Sequence, residues 1–224
     1  MICVTRVGRA EGSREAAAAL ACAGAEPDRP ALLIELSDGR APRPTLVASA
    51  EARRLEERLV AHLPEAKVAS RGRCCHLALP ADQSGIEVLG AAAAVGRDLA
   101  CVLHLPPDLL QPVLEAPGLA LTAALLRADL AEDRALTALA ARDLIGRGLR
   151  VAVLKRPLGW VASRQALFGV LAVNGGAALP IRLAERLLHG ISSHPCYSEQ
   201  NATRVDTARA SKQQRRDHAS AGSR

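Results

Sequence analysis

Eight residues near the start of the chain, Gly8-Arg9-Ala10-Glu11-Gly12-Ser13-Arg14-Glu15, are of types that could hold phosphate. They follow a short apolar run, residues 2–5, and lead into an alanine-rich one, residues 16–19 with Leu20 and Ala23. A glycine-containing loop between strand and helix offers free backbone N–H groups and the positive end of a helix macrodipole to an anion. The full spelling for that chemistry is G-x-x-x-x-G-K-[ST]. Counted from Gly8, Ser13 stands where the last Gly belongs, Arg14 where the Lys belongs and Glu15 where the Ser or Thr belongs. The scaffold is legible and most of the chemistry is missing.

Other side chains carry weaker signals. His104 ends an apolar run and reads either as a hydrogen-bonded structural histidine or as a general base with Asp108 or Asp129 nearby. Lys155 and Arg156 end another run and read either as an anion site or as a solvated pair. Asp129 with Glu132 has capping-box spacing, which explains Asp129 without catalysis. No serine lies in a G-x-S-x-G frame. Of the six cysteines, Cys3, Cys75 and Cys101 lie in or beside apolar runs, where cysteine packs as a small hydrophobe; a metal or redox role is the alternative. There is no C-x-x-C, and Cys74-Cys75-His76 is a poor metal set because neighbours on a strand point to opposite faces.

The elements that must position these residues follow from periodicity. Residues 2–5, 31–36, 99–105, 119–126 and 149–154 are continuous apolar runs, as expected of strands buried on both faces of a parallel sheet. Residues 67–69 and 74–79 are further strands around an Arg71-Gly72-Arg73 turn. Residues 49–63 place Ala52, Leu55, Leu59 and Leu63 at helical spacing, with charges between them. Leu136, Leu139, Ala140 and Leu144 form the stripe of a later helix, and residues 86–95 form a helix of small residues. Residues 165–173 are apolar and are broken by Asn174-Gly175-Gly176. Strands alternating with helices in such short units give an α/β fold, a mainly parallel, doubly wound sheet with helices on both faces. Ligands in such sheets bind beyond the carboxyl ends of the strands.

Composition sets the outer limits. The chain has 224 residues, 49% hydrophobic and only 1% aromatic, so its core must be built from Ala, Leu and Val. The expected division is an α/β domain over residues 1–178, a docked helix over 179–191 and a disordered basic tail over 192–224. Six Lys/Arg against three Asp/Glu in residues 199–224 supply half of the net charge of +6, which leaves the domain near-neutral and argues against sequence-specific nucleic-acid binding. No apolar run is long enough to span a membrane and nothing reads as a signal peptide, so the expected location is cytoplasmic.

Four loops taken together resemble the MinD/ParA-like P-loop ATPases, the family that includes the CpaE/TadZ-type proteins of pilus assembly. The resemblance covers residues 2–160 and rests on the order of elements. It implies a phosphate-binding Lys and a magnesium-binding hydroxyl where Arg14 and Glu15 stand. It implies an acidic pair after the second strand, where Glu35 keeps a carboxylate and Ser37 does not. It implies an Asp on the Walker B strand, where Val102-Leu103-His104-Leu105-Pro106-Pro107 has His104. It implies an Asn-Arg after a later strand, where Lys155-Arg156 stands. An Arg fork does not reproduce a compact Lys, Glu15 repels phosphate, and neutral His104 is a poor magnesium ligand. The resemblance therefore implies a degenerate, non-catalytic P-loop fold, with no cofactor expected and ATP binding weak at best. Gly8, Gly12, Ser13, Arg14, Lys155 and Arg156 would form the vestigial site. It also implies a protein partner or a homodimer, in pilus assembly, septum placement or partitioning. The rival expectation is an enzyme on a Rossmann-like sheet, holding an anionic small molecule at Arg14, Lys155 and Arg156.

Overall fold

The five apolar runs lie side by side as parallel strands. The structure, a computed structural model, describes residues 1–37, 47–129, 133–155, 164–167 and 170–174, and two helical pairs, 184–185 and 188–189. Its strands are β1 (Ile2–Arg6), β2 (Ala31–Leu36), β3 (Lys67–Arg71), β4 (Cys74–Leu79), β5 (Cys101–His104), β6 (Ala123–Ala128), β7 (Arg150–Lys155), β8 (Arg164–Leu167) and β9 (Val170–Asn174). They form one sheet in the order β3-β4-β2-β5-β1-β6-β7-β9-β8. The pairings from β4 to β9 are parallel, and β3 and β8 close the two edges antiparallel. The helices are α1 (Ser13–Gly24), α2 (Ala50–His62), α3 (Gln83–Val95), α4 (Leu110–Glu115) and α5 (Arg134–Gly146).

Two cores lie on opposite faces of the sheet, because successive strand residues alternate sides. Cys3, Leu32, Ile34, Leu77, Leu103 and Leu126 meet Leu55 and Leu59 of α2, Leu89 of α3 and Leu144 of α5. Val4, Leu33, Val102, Leu125 and Ala152 meet Ala16, Ala17, Leu20 and Ala21 of α1. The alanine face of α1 lets the helix lie close to the sheet. Ala184 is fully buried in this second core and Leu188 packs against it, both within the expected docked helix. The tail from residue 192, Arg156, and most of the loop from 37 to 43 lie outside the described residues.

Several boundaries differ from expectation. The sixth strand begins at Ala123, where pairing with Ile2 begins, so residues 119–122 lead into it from the Gly118 turn. The apolar run at 165–173 contains an antiparallel hairpin, β8 and β9. The fifth helix starts at Arg134 with Asp133 at its N-cap, so Asp129 does not cap it. The helix buries Thr137, Ala141 and Leu144, while Leu136 and Leu139 are 53% and 64% exposed. The expected stripe was rotated by about one residue, because Leu-Ala repeats offer two adjacent helical faces and the smaller one fits nearer the sheet. Leu136→Ala and Leu139→Ala are accordingly expected to change stability by no more than about 0.5 kcal/mol each, as surface substitutions do. A denaturant midpoint lowered well beyond that would place these leucines in the core. Among the described residues no helix is long and apolar enough to cross a membrane.

Candidate functional site

Two of the buried strands carry one charged residue each, Glu35 in β2 and Arg127 in β6, at the carboxyl ends of runs otherwise wholly apolar. Alternation puts both on the α1 face, since Leu36 and Leu126 point to the other core. Register does the same for two histidines. Glu35 pairs with His104 on β5, and Leu33 pairs with His76 on β4. The amino end of α1 then closes over them. Arg14 Nε lies 2.7 Å from Glu35 Oε1. His76 Nε2 lies 2.9 Å from Glu35 Oε2, without forming a well-aligned hydrogen bond. His104 Nδ1 lies 3.8 Å from Glu35 Oε1, and its Nε2 lies 3.0 Å from the Ser13 hydroxyl. The carboxylate beside His104 is thus Glu35, where Asp108 or Asp129 was expected.

Glu35 is 2% exposed. Burial alone would raise its pKa; the His76 contact and then the Arg14 guanidinium outweigh it and hold the carboxyl below its ordinary value. Burial dominates at His104 and pushes its pKa down, against the pull of Glu35. Stability is therefore expected to fall in two steps on acidification. The first begins below about pH 6.5, where an unfolded histidine takes up a proton that folded His104 refuses. The second begins below about pH 4.5 and proceeds as the pH falls through the folded value of Glu35. In both ranges the unfolded chain binds more protons, so acid favours unfolding. His104→Asn should flatten the upper step in melting temperatures measured across about pH 4 to 8; an unchanged step would assign it to another group.

The loop itself is built around two glycines. Gly8 (φ 59) and Gly12 (φ 86) adopt the left-handed backbone that other residues avoid. A Cβ on Gly8 would collide with the Asp133 carboxylate, which lies directly over the loop. Gly12 is the N-cap of α1, with no side chain capping the helix. The Ser13 hydroxyl bonds to His104. Counted back from the helix, Gly12 is the closing glycine, so Ser13 stands at the Lys place and Arg14 at the hydroxyl place. On neither count does the loop hold a lysine followed by a hydroxyl.

Arg127, just after the apolar run at 119–126, organises the loop. It is 5% exposed, and its Nε donates to Glu11 O at 2.9 Å. Its own carbonyl accepts from Val7 N at 2.8 Å. A charge inside an apolar run was the available signal. Lys155 ends β7, two strands from β1, whereas Arg14 reaches the other way toward β2. The structure does not bring Arg14 to the β7 end of the sheet.

Two cavities flank Arg14. One of about 300 Å³ lies over the loop and reaches His104 and Pro106. A larger one, about 580 Å³, runs between α1 and the β3–β4 edge and reaches Glu35, His76, Cys22 and Cys74. Among the described residues no group of His, Cys, Asp or Glu side chains, the Glu35–His76–His104 cluster included, is arranged to hold a metal ion.

No protein-family model and no curated protein matches the chain. Among solved structures, a ParA family ATPase from Chlorobium tepidum TLS superposes with a TM-score of 0.55 at 13% identity, over 85% of this chain and 90% of that one. The fold is ParA-like. At 13% identity the likeness extends to the fold alone.

Proposed function

We propose that this ParA-like chain is a non-hydrolysing scaffold or regulatory protein, acting through another protein or a second copy of itself in an assembly of the kind that builds pili, places septa or partitions cargo. The observation that carries the first half is the Arg14–Glu35 ion pair at 2.7 Å. The cation that stands at the Lys place, counted from Gly8, is neutralised internally by a buried carboxylate. The rest of the loop supports the reading. The Asp133 carboxylate lies over Gly8, and Glu15 sits in the first turn of α1. Both repel phosphate where a P-loop attracts it. Magnesium needs hard oxygen ligands, and the candidate end of β5 presents an imidazole. A magnesium–triphosphate therefore does not fit this set of donors. Phosphoryl transfer depends almost wholly on such positioning and charge.

The role in an assembly rests on the ParA-like fold and on what the resemblance implies for partners. The outward-facing Leu136 and Leu139 give α5 apolar area to offer such a partner. Calorimetric titration with ATP, with and without magnesium, tests the first half. The expected result is no magnesium-dependent binding and no phosphate release. Tight magnesium-dependent binding with turnover would overturn it. Sedimentation of the wild type against a Leu136→Glu, Leu139→Glu variant tests the second; a concentration-dependent dimer lost in the variant is expected if the partner is a second copy.

A further inference from the structure

The larger cavity holds chemistry that the phosphate loop does not use. Cys22 lies near the end of α1 and Cys74 begins β4, 52 residues later in the chain. The order of strands brings them together. Cys74 Sγ donates to Cys22 Sγ at 3.4 Å, and both thiols line the cavity with Arg71 and Arg73 at its edge. Cys22 is exposed and Cys74 half-buried.

We propose that Cys22 and Cys74 form a reversible dithiol–disulfide site, with Cys22 the attacking thiolate, Cys74 the resolving thiol, and a small carboxylate-bearing disulfide as oxidant. The Cys22 thiolate attacks one sulfur of the small disulfide, forms a mixed disulfide and expels one thiolate. Cys74 gives up its proton and attacks Cys22 Sγ, expelling the second thiolate. The two cysteines are oxidised, the small disulfide is reduced to two thiols, and the two cysteine protons end on those thiols.

The order of attack follows from the environment. The Cys74 hydrogen bond, then Arg71, lower the Cys22 pKa to about 6, against the effect of its burial. The same bond and the neighbouring thiolate raise that of Cys74, with burial adding to them. Capping Cys22 removes both the bond and the charge, so Cys74 becomes easier to ionise only once there is a mixed disulfide to resolve. The arginines at the cavity edge favour an oxidant carrying carboxylates. The oxidised bond would join the end of α1 to the start of β4 across the cavity that also holds Glu35 and His76. This inference stands whether or not the loop binds nucleotide.

The test uses the full chain carrying Cys196→Ala, treated with glutathione disulfide and followed by intact mass and peptide mapping without reductant. The expected product is a Cys22–Cys74 disulfide. Cys74→Ala should stop at a mixed disulfide on Cys22, and Cys22→Ala should form no internal disulfide, with any adduct on Cys74 appearing more slowly than the Cys22 adduct does in Cys74→Ala. Alkylation by iodoacetamide gives a second reading. At neutral pH its rate at Cys22 should be only about twofold above an ordinary thiol, because a more acidic thiolate is a weaker nucleophile. The midpoint of its pH profile discriminates better: near 6 in the parent, and higher by more than about one pH unit in Cys74→Ala. No mixed disulfide in Cys74→Ala, or a midpoint that Cys74→Ala leaves unmoved, would overturn the proposal.

Discussion

Replacing Glu35 with Ala is expected to lower the melting temperature by about 6–12 °C. The carboxylate is 2% exposed and is the centre that Arg14, His76 and His104 face. Its removal takes the facing carboxylate away from the two imidazoles of His76 and His104 and opens a void beneath α1. Truncating a fully buried side chain of this size to alanine costs about 2–5 kcal/mol through the cavity it leaves. Arg14 adds little, because its side chain is 48% exposed and can turn to water. A total near 3 kcal/mol, in a chain of this size, corresponds to the stated shift at roughly 2–4 °C per kcal/mol. Glu35→Gln keeps the shape and one acceptor oxygen, so it should cost about half as much. Thermal unfolding followed by circular dichroism gives both values. A Glu35→Ala variant melting within about 2 °C of the wild type would mean that the carboxylate does not hold this cluster together.

Most of the sheet was legible because its strands are buried on both faces and are therefore continuous apolar runs; β2 and β6 are buried at every residue. The edges were less so. The β8–β9 hairpin lies within one apolar run with no strong turn signal of its own. The face of α5 was ambiguous because leucine and alanine recur at both possible spacings. The site was legible in part. Position placed Arg14, Ser13 and His104 at the carboxyl edge, where they are. Their partners were not readable, because Glu35 meets His76 and Cys22 meets Cys74 only through the strand order, with β4 beside β2. In the sequence Glu35 reads only as the retained carboxylate of an acidic pair, and Arg127 not as a site at all; both stand out as the lone charges in their strands, since a charge is seldom buried without a partner.

Replacing Arg127 with Met is expected to release the phosphate-type loop as well as to destabilise the fold. The Arg127 guanidinium reaches two main-chain carbonyls, Glu11 O at 2.9 Å and Leu154 O at 3.5 Å, and so ties the loop to the end of β7. Methionine keeps much of the length and apolar contact of the stem and removes every donor. The Glu11 and Leu154 carbonyls then lose their bonds from a guanidinium whose residue is 5% exposed. At about 1.5–3 kcal/mol for each hydrogen bond to a charged group, with the longer Leu154 bond at the low end, the loss is again near 3 kcal/mol, a fall of about 6–12 °C. Arg127→Lys keeps a charge and one direction of donation but loses the fork, so it should lie between the two. The loop supplies a local readout. Arg9 is exposed at its tip, and trypsin should cut there faster in Arg127→Met than in Glu35→Ala at matched global stability. That comparison separates a loop set free from a fold merely weakened. Equal cutting in the two variants would show that the loop is held by Gly8, Gly12 and the backbone bond from Val7, with the Arg127 side chain contributing only to the core.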